Sequence, residues 1–238
     1  MNKKDIGLLA VLSTILIFAS STVLGQGNQA TSYQEGVHYT AIENAPIASG
    51  DSVEVAEAFS YMCTHCATFE PYISRWEQRK PENVSFRRIP VVFGRDSWEV
   101  YARAYVTAEL MGIADAAHGA LMDKIWKEKQ VLRSLDELSK FYAAYGADPA
   151  RFVATSKSFA VDAKMRKDQR AIQTAGVQGT PSLIVNGRYL VAGNDAVANY
   201  DVMLDVVDYL VSLESAAPTA AAATPPTAAA EKVPAVAD

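Results

Sequence analysis

Cysteine is scarce in this sequence, which contains only Cys63 and Cys66, two residues apart. A structural zinc site needs four ligands at characteristic spacings, and His38 and His118 are too far apart in the chain to complete one. Covalent haem attachment needs a histidine directly after the second cysteine, where Ala67 stands. The scarcity therefore disfavours zinc and excludes attached haem, and we expect no metal and no bound organic cofactor.

Clustered positive charge is also lacking. Lys and Arg number 22 against 27 Asp and Glu, for a formal net charge of -5 at pH 7. No dense basic run follows Lys4, whereas nucleic acids and anionic membranes attract clustered basic residues. Nucleic acid is therefore not an expected partner. No dimerisation segment is evident either, and a monomer is expected.

The two ends of the chain differ in composition from the middle. Lys3 and Lys4 precede an apolar stretch over residues 6–19, as in the signal peptide of an exported protein. We predict a signal peptide over residues 1–25, or an uncleaved anchor, and a periplasmic location. Residues 215–238 are rich in Ala, Pro and Thr and are predicted to form a disordered tail.

The order of predicted elements indicates an α/β fold with an insertion. Residues 52–60 form a strand that is apolar on both faces, and residues 84–93 a second strand. Helical patterns fill the chain between them and again from Asp96 to Ala175. Two short strands joined by Asn186-Gly187, a type I′ hairpin signal, and a last helix follow. We therefore divide the α/β domain into residues 26–94 and 176–214, with a helical insertion over residues 95–175.

The Cys63-Thr64-His65-Cys66 motif lies at the start of a predicted helix. The thiolate is the species that attacks disulfides, and a helix N-terminus stabilises that anion. Cys63 is therefore the predicted nucleophile and Cys66 the resolving thiol. His65 can donate a hydrogen bond or a charge to the Cys63 sulfur, which favours an oxidising pair. A structural disulfide and an idle His65 remain the alternatives, although so small a loop gains little stability from a bridge.

Thr180-Pro181 follows Gly179 and precedes a predicted strand. By itself such a pair is most often an ordinary turn. Together with the cysteine motif and the hairpin, it fits a loop whose exposed backbone pairs with an extended substrate peptide beside the reactive sulfur. We therefore expect substrate binding at Gly179, Thr180 and Pro181.

Two stretches, from Val55 to Cys66 and from Gly176 to Gly187, resemble the DsbA family of periplasmic disulfide oxidases. The resemblance extends over roughly residues 33–213 in element order. It implies a thioredoxin fold interrupted by a helical domain. It also implies that the protein oxidises newly exported proteins and is itself reoxidised by a quinone-linked membrane partner, DsbB.

Site roles follow from the resemblance. It implies that Cys63 attacks, Cys66 resolves and His65 tunes the thiolate. It also implies a cis Pro181 with Thr180 facing the sulfur. Thr64 stands where the best-known members have Pro, and Thr180 where they often have Val, which affects the strength of the oxidant more than the class of reaction.

Glu57 interrupts the otherwise apolar first strand. The resemblance implies a buried acid here, and its apolar setting predicts a raised pKa and a role in moving protons to and from Cys66. A solvated glutamate at the end of the sheet is the alternative.

Taken together, the sequence predicts a thiol:disulfide oxidoreductase. The enzyme would donate its Cys63–Cys66 disulfide to reduced, unfolded exported proteins through a mixed disulfide on Cys63. Alternatives are a reductase or isomerase on the same fold, or a peptide-binding module with a structural disulfide.

Overall fold

The computed structural model describes residues 33–43, 45 and 52–216. The predicted signal peptide and residues 217–238 of the predicted tail lie outside these ranges. The last helix extends through Ala216, so the first two residues of that tail are helical. Within the described ranges, no helix has the length and apolar character needed to cross a membrane.

Five strands form one mixed sheet in the order β1-β5-β4-β2-β3. The central strand β2 pairs in parallel with β3 and antiparallel with β4. Every residue of β2 except Glu54 is buried, which agrees with its apolar character on both faces. The strands are β1 Thr40–Ala41, β2 Val53–Phe59, β3 Val84–Pro90, β4 Ser182–Val185 and β5 Tyr189–Ala192.

Seven α-helices accompany the sheet in the described residues. Helix α1 joins β2 to β3, α2 to α6 lie between β3 and β4, and α7 follows β5. This arrangement confirms the α/β class with a helical insertion, while the exact domain boundaries stay a prediction. The helices are α1 Thr64–Arg79, α2 Asp96–Leu110, α3 Ala114–Trp126, α4 Leu135–Tyr142, α5 Pro149–Ser156, α6 Phe159–Thr174 and α7 Tyr200–Ala216.

The turns follow local sequence chemistry. Asn186 and Gly187 both have positive φ, 52° and 65°, as a type I′ hairpin requires. The second strand ends at Pro90, three residues earlier than predicted. Proline cannot donate to a ladder of hydrogen bonds, and Phe93 beyond it adopts a φ of 48°.

Apolar side chains form three clusters. One packs α1 and α7 against one face of the sheet, and a second packs the opposite face against Ile172 of α6. The third fills the interior of the helical block and includes Phe59, Tyr61, Cys63 and Cys66. The cysteine motif therefore lies where the end of β2 meets the helical block.

Candidate active site

Both cysteines lie at the beginning of α1. Cys63 is the N-cap residue and Cys66 lies in the first turn. Cys63 is 9% exposed, whereas Cys66 is fully buried. Both are free thiols in this structure. The reduced pair therefore presents only the Cys63 sulfur at the surface.

The surroundings of the two thiols shift their pKa values in opposite directions. A hydrogen bond from the Cys66 thiol lowers the pKa of Cys63 most, and the Thr180 side chain and the backbone N–H groups of Cys66 and His65 lower it further, against the effect of burial. The pKa of Cys66 is raised by the same bond to Cys63, by burial and by the charge of Glu57. These opposite pKa shifts favour Cys63 as the thiolate and Cys66 as the thiol that supports it.

The Thr180-Pro181 loop lies against Cys63. Its peptide bond is cis. The Cys63 sulfur lies 3.4 Å from the Thr180 carbonyl oxygen. An open cleft of about 800 Å³ begins here and is lined by Gly179, Thr180, Pro181 and His65, among others. The structure therefore brings the predicted substrate-binding residues together with the cysteine motif.

His65 is exposed, and its side chain lines this cleft. The favourable contact that it makes with the Cys63 sulfur comes from its backbone N–H group. Its carbonyl oxygen accepts a hydrogen bond of 3.1 Å from the hydroxyl of Tyr200. A tuning role for the His65 imidazole stays a prediction. Tyr200 itself was not identified from the sequence, where it is indistinguishable from other apolar positions of the last helix.

Glu57 is 1% exposed in the middle of β2. Burial raises the pKa of its carboxyl to about 8, and the positive charge of Arg88 opposes that rise. The alternative of a solvated glutamate is therefore wrong. Because the charge of Glu57 also raises the pKa of Cys66, the two groups are electrostatically coupled.

Arg88 was not identified as a site residue from the sequence. It lies opposite Glu57 in the parallel register of β2 and β3 and is 5% exposed. Its Nε lies 3.3 Å from Glu57 Oε2, and its Nη2 lies 3.4 Å from Glu70 and 3.7 Å from Glu77. A single guanidinium thus faces three carboxylates. Acidic residues in one apolar strand and adjacent arginines in the next are the signal that could have revealed it.

A histidine of the helical block completes the buried polar cluster. His118, considered from the sequence as a zinc ligand, is 2% exposed. Its Nδ1 lies 2.9 Å from the Tyr61 hydroxyl and its Nε2 lies 3.0 Å from Glu70 Oε2. No local pattern in the sequence indicates these contacts. Within the residues described, no group of three or more His, Cys, Asp or Glu side chains is arranged to hold a metal ion.

Comparisons with known proteins agree with this geometry. The family model of the DSBA-like thioredoxin domain matches residues 54–205. The thiol:disulfide interchange protein DsbA of Pseudomonas aeruginosa is 34% identical over 208 residues, covering 87% of this chain and 97% of the relative.

Solved structures extend the likeness to the fold. The oxidoreductase DsbA from Xylella fastidiosa superposes with a TM-score of 0.72 at 35% identity, covering 78% of this chain and 99% of that one. The DsbA of Proteus mirabilis, solved with a non-covalently bound peptide, has a TM-score of 0.63 at 25% identity, with coverages of 76% and 99%.

Proposed function

Because the chain belongs to the family of DSBA-like thioredoxin domains and is a thiol:disulfide oxidoreductase, we propose that Cys63 and Cys66 form the disulfide that it donates to reduced exported proteins. The observation that carries this assignment is the position of the Cys63 sulfur. It sits at the N-terminus of α1, where the Cys66 thiol and two backbone N–H groups stabilise its anion.

The position of the Cys63 sulfur favours oxidation of substrate thiols over reduction of substrate disulfides. A dithiol whose thiolate is strongly stabilised gives up its disulfide readily, because transfer of that disulfide releases the stabilised thiolate. The lowered pKa of Cys63 thus supports an oxidase.

The transfer proceeds in two exchanges. A substrate thiolate attacks the Cys63 sulfur, which forms a mixed disulfide, breaks the Cys63–Cys66 bond and releases Cys66 as a thiolate that takes up a proton. A second substrate thiolate then attacks the substrate sulfur of the mixed disulfide and releases Cys63. The substrate is oxidised by two electrons, and the cysteine pair is reduced by two.

Glu57 is the group proposed to protonate Cys66. Cys66 leaves the disulfide as an anion in a fully buried position, where a thiolate is costly. A buried carboxyl with a pKa of about 8 is largely protonated at neutral pH and can supply that proton. Reoxidation of the cysteine pair would return this proton to Glu57.

The cleft beside Cys63 is the proposed binding site for the substrate polypeptide. The Gly179-Thr180 backbone borders the cleft next to the reactive sulfur, and an extended peptide can pair with such a backbone edge. The relative solved with a bound peptide supports this assignment. Sequence-independent pairing of this kind suits an enzyme with many unfolded substrates.

The catalytic cycle needs an electron acceptor and a compartment. We propose reoxidation of Cys63 and Cys66 by a DsbB-like, quinone-linked membrane oxidase, which would accept the two electrons taken from each substrate. We also propose export to the periplasm through a signal peptide over residues 1–25. N-terminal sequencing of the exported protein tests the latter, with Gln26 as the expected first residue.

The proposed transfer can be tested with a reduced, unfolded ribonuclease and an equimolar amount of the oxidised protein. We expect the substrate to lose two thiols per protein molecule while Cys63 and Cys66 both become reduced. With glutathione disulfide present, a Cys66→Ser variant should form a covalent adduct with the substrate that lasts until a second substrate thiol attacks it, because Cys66 is no longer there to displace the substrate from Cys63. The matched Cys63→Ser variant should not, because Cys66 is inaccessible.

Two outcomes would overturn the assignment. A protein that leaves substrate thiols intact but reduces a substrate disulfide at the expense of a small dithiol is a reductase. A protein that binds the unfolded chain without any change in thiol count is a peptide-binding module.

A further inference from the structure

The loop that carries Cys63 into α1 is short. It connects the end of β2 at Phe59 to the helix, and its internal hydrogen bonds all go to Ser60. The Cys63 N–H donates to the Ser60 carbonyl oxygen at 3.1 Å, and the Met62 N–H donates to the Ser60 hydroxyl at 3.1 Å. Tyr61 takes no part in these bonds, so other elements must hold it.

Helix α3 of the helical block holds Tyr61 from outside the loop. The indole Nε1 of Trp126 donates to the Tyr61 carbonyl oxygen at 2.8 Å. The hydroxyl of Tyr61 lies 2.9 Å from Nδ1 of His118. Because Glu70 only accepts at the other ring nitrogen, Nε2 carries the proton and Nδ1 accepts from the tyrosine. Two residues of α3, eight positions apart, thus contact the backbone and the side chain of Tyr61.

Aromatic packing also restrains Tyr61. Tyr61 is 1% exposed, and its ring meets Phe59, Tyr105 and His118 at centroid distances of 5.2, 6.3 and 5.1 Å. A buried aromatic residue in such a cluster cannot shift without moving its neighbours, because protein interiors are close-packed. The position of Tyr61 is therefore set by the helical block together with Phe59 at the end of β2.

We propose that Trp126 and His118 are positioning residues for the nucleophile, acting through Tyr61, which lies two residues before Cys63. This inference rests on the proposed function, in which Cys63 is the attacking residue. The helical block thereby fixes where the Cys63 sulfur stands relative to the N–H groups of α1 and to Thr180.

Thiolate stabilisation depends steeply on that position. The donors that favour the Cys63 anion belong to α1 and to the Thr180 loop, whereas the contacts that hold Tyr61 come from α3. Hydrogen bonds weaken quickly as distance and angle depart from the optimum. Loss of the contacts to Tyr61 should therefore weaken the stabilisation of the Cys63 thiolate. The pKa of Cys63 should rise, and the Cys63–Cys66 disulfide should become less oxidising.

Trp126→Phe tests the backbone contact, because it removes the indole donor and keeps an aromatic ring. The readouts are the thiolate absorbance of Cys63 against pH and the equilibrium with glutathione. Loss of the hydrogen bond to the Tyr61 carbonyl should raise the pH midpoint of Cys63 thiolate formation by about one unit. It should also lower the equilibrium constant for reduction of the disulfide by glutathione roughly tenfold. Tyr61→Phe removes the side-chain contact independently and should change both readouts in the same direction.

Trp98→Phe is the matched control. Trp98 is a second half-buried tryptophan of the helical block that packs on the same cluster, and its ring meets Phe93 at 6.0 Å rather than the loop. Its replacement should cost stability but leave the Cys63 midpoint unchanged. Unchanged midpoints in both Trp126→Phe and Tyr61→Phe, or an equal shift in Trp98→Phe, would overturn the inference. An ordinary thiol midpoint in the wild-type protein would instead overturn the proposed function.

Discussion

Replacing Glu57 by glutamine should make the reduced protein more stable at neutral pH. The carboxyl is 1% exposed, and its pKa is raised from 4.5 to about 8. In the unfolded chain at pH 7 it is ionised, so folding must bring a proton to it. One pKa unit corresponds to about 1.4 kcal/mol, so this step costs about 3 kcal/mol at pH 7.

The sign of the pH dependence follows from the direction of the shift. A carboxyl whose pKa is raised on folding imposes no penalty below its unfolded pKa of 4.5, and the penalty grows as the pH rises toward its folded pKa of about 8. The gain in Glu57→Gln should therefore be near zero at about pH 4 and about 2 to 3 kcal/mol at pH 7.

Urea unfolding of both proteins under reducing conditions, at several pH values, gives this difference. Glu82→Gln is the matched control, because Glu82 is an exposed glutamate. That variant should follow the wild-type curve at every pH. A Glu57→Gln protein that is less stable than wild type at pH 7, or whose difference from wild type does not change with pH, would refute the reasoning.

Three further predictions concern the same site. Iodoacetamide should modify Cys63 and spare Cys66, with a pH midpoint well below that of an ordinary cysteine thiol; equal labelling of both, mapped by mass spectrometry, would count against the assigned roles. Thr180→Val removes a side-chain hydrogen bond to the Cys63 sulfur and should raise its pKa and make the disulfide less oxidising, whereas the exposed Thr174→Val should change neither. Arg88→Met leaves three carboxylates without their shared cation and should lower the free energy of unfolding by about 3 to 5 kcal/mol, most strongly at high pH; a loss below about 1 kcal/mol in urea titrations would contradict this.

Features set by neighbouring residues were predictable from the sequence. Asn186 and Gly187 adopt the two positive φ angles of the expected hairpin, because few residues tolerate them. Ser134 caps α4 by accepting from the N–H of Glu137 three residues later, which is the spacing of a capping box. The burial of Glu57 was implied by the resemblance to the DsbA family, and the apolar residues around it in the strand are consistent with it.

Features set by distant residues were not predictable. Trp126 reaches Tyr61 across 65 positions, and His118 reaches Glu70 across 48. Periodicity assigns such residues to a helix face but does not say what that face meets. Arg88 is intermediate, because the pairing of its strand with β2 was implied by the fold while the register was not. A register shift of a single residue would have placed it on the other face of the sheet.

The equilibrium between this protein and glutathione tests the central claim most directly. The reduction potential of Cys63 and Cys66, measured in buffers of reduced and oxidised glutathione, reports the relative stability of the dithiol and the disulfide. Stabilisation of the Cys63 thiolate predicts a pair clearly more oxidising than glutathione. A potential near that of thioredoxin, at about -270 mV, would contradict the account and identify the protein as a reductase.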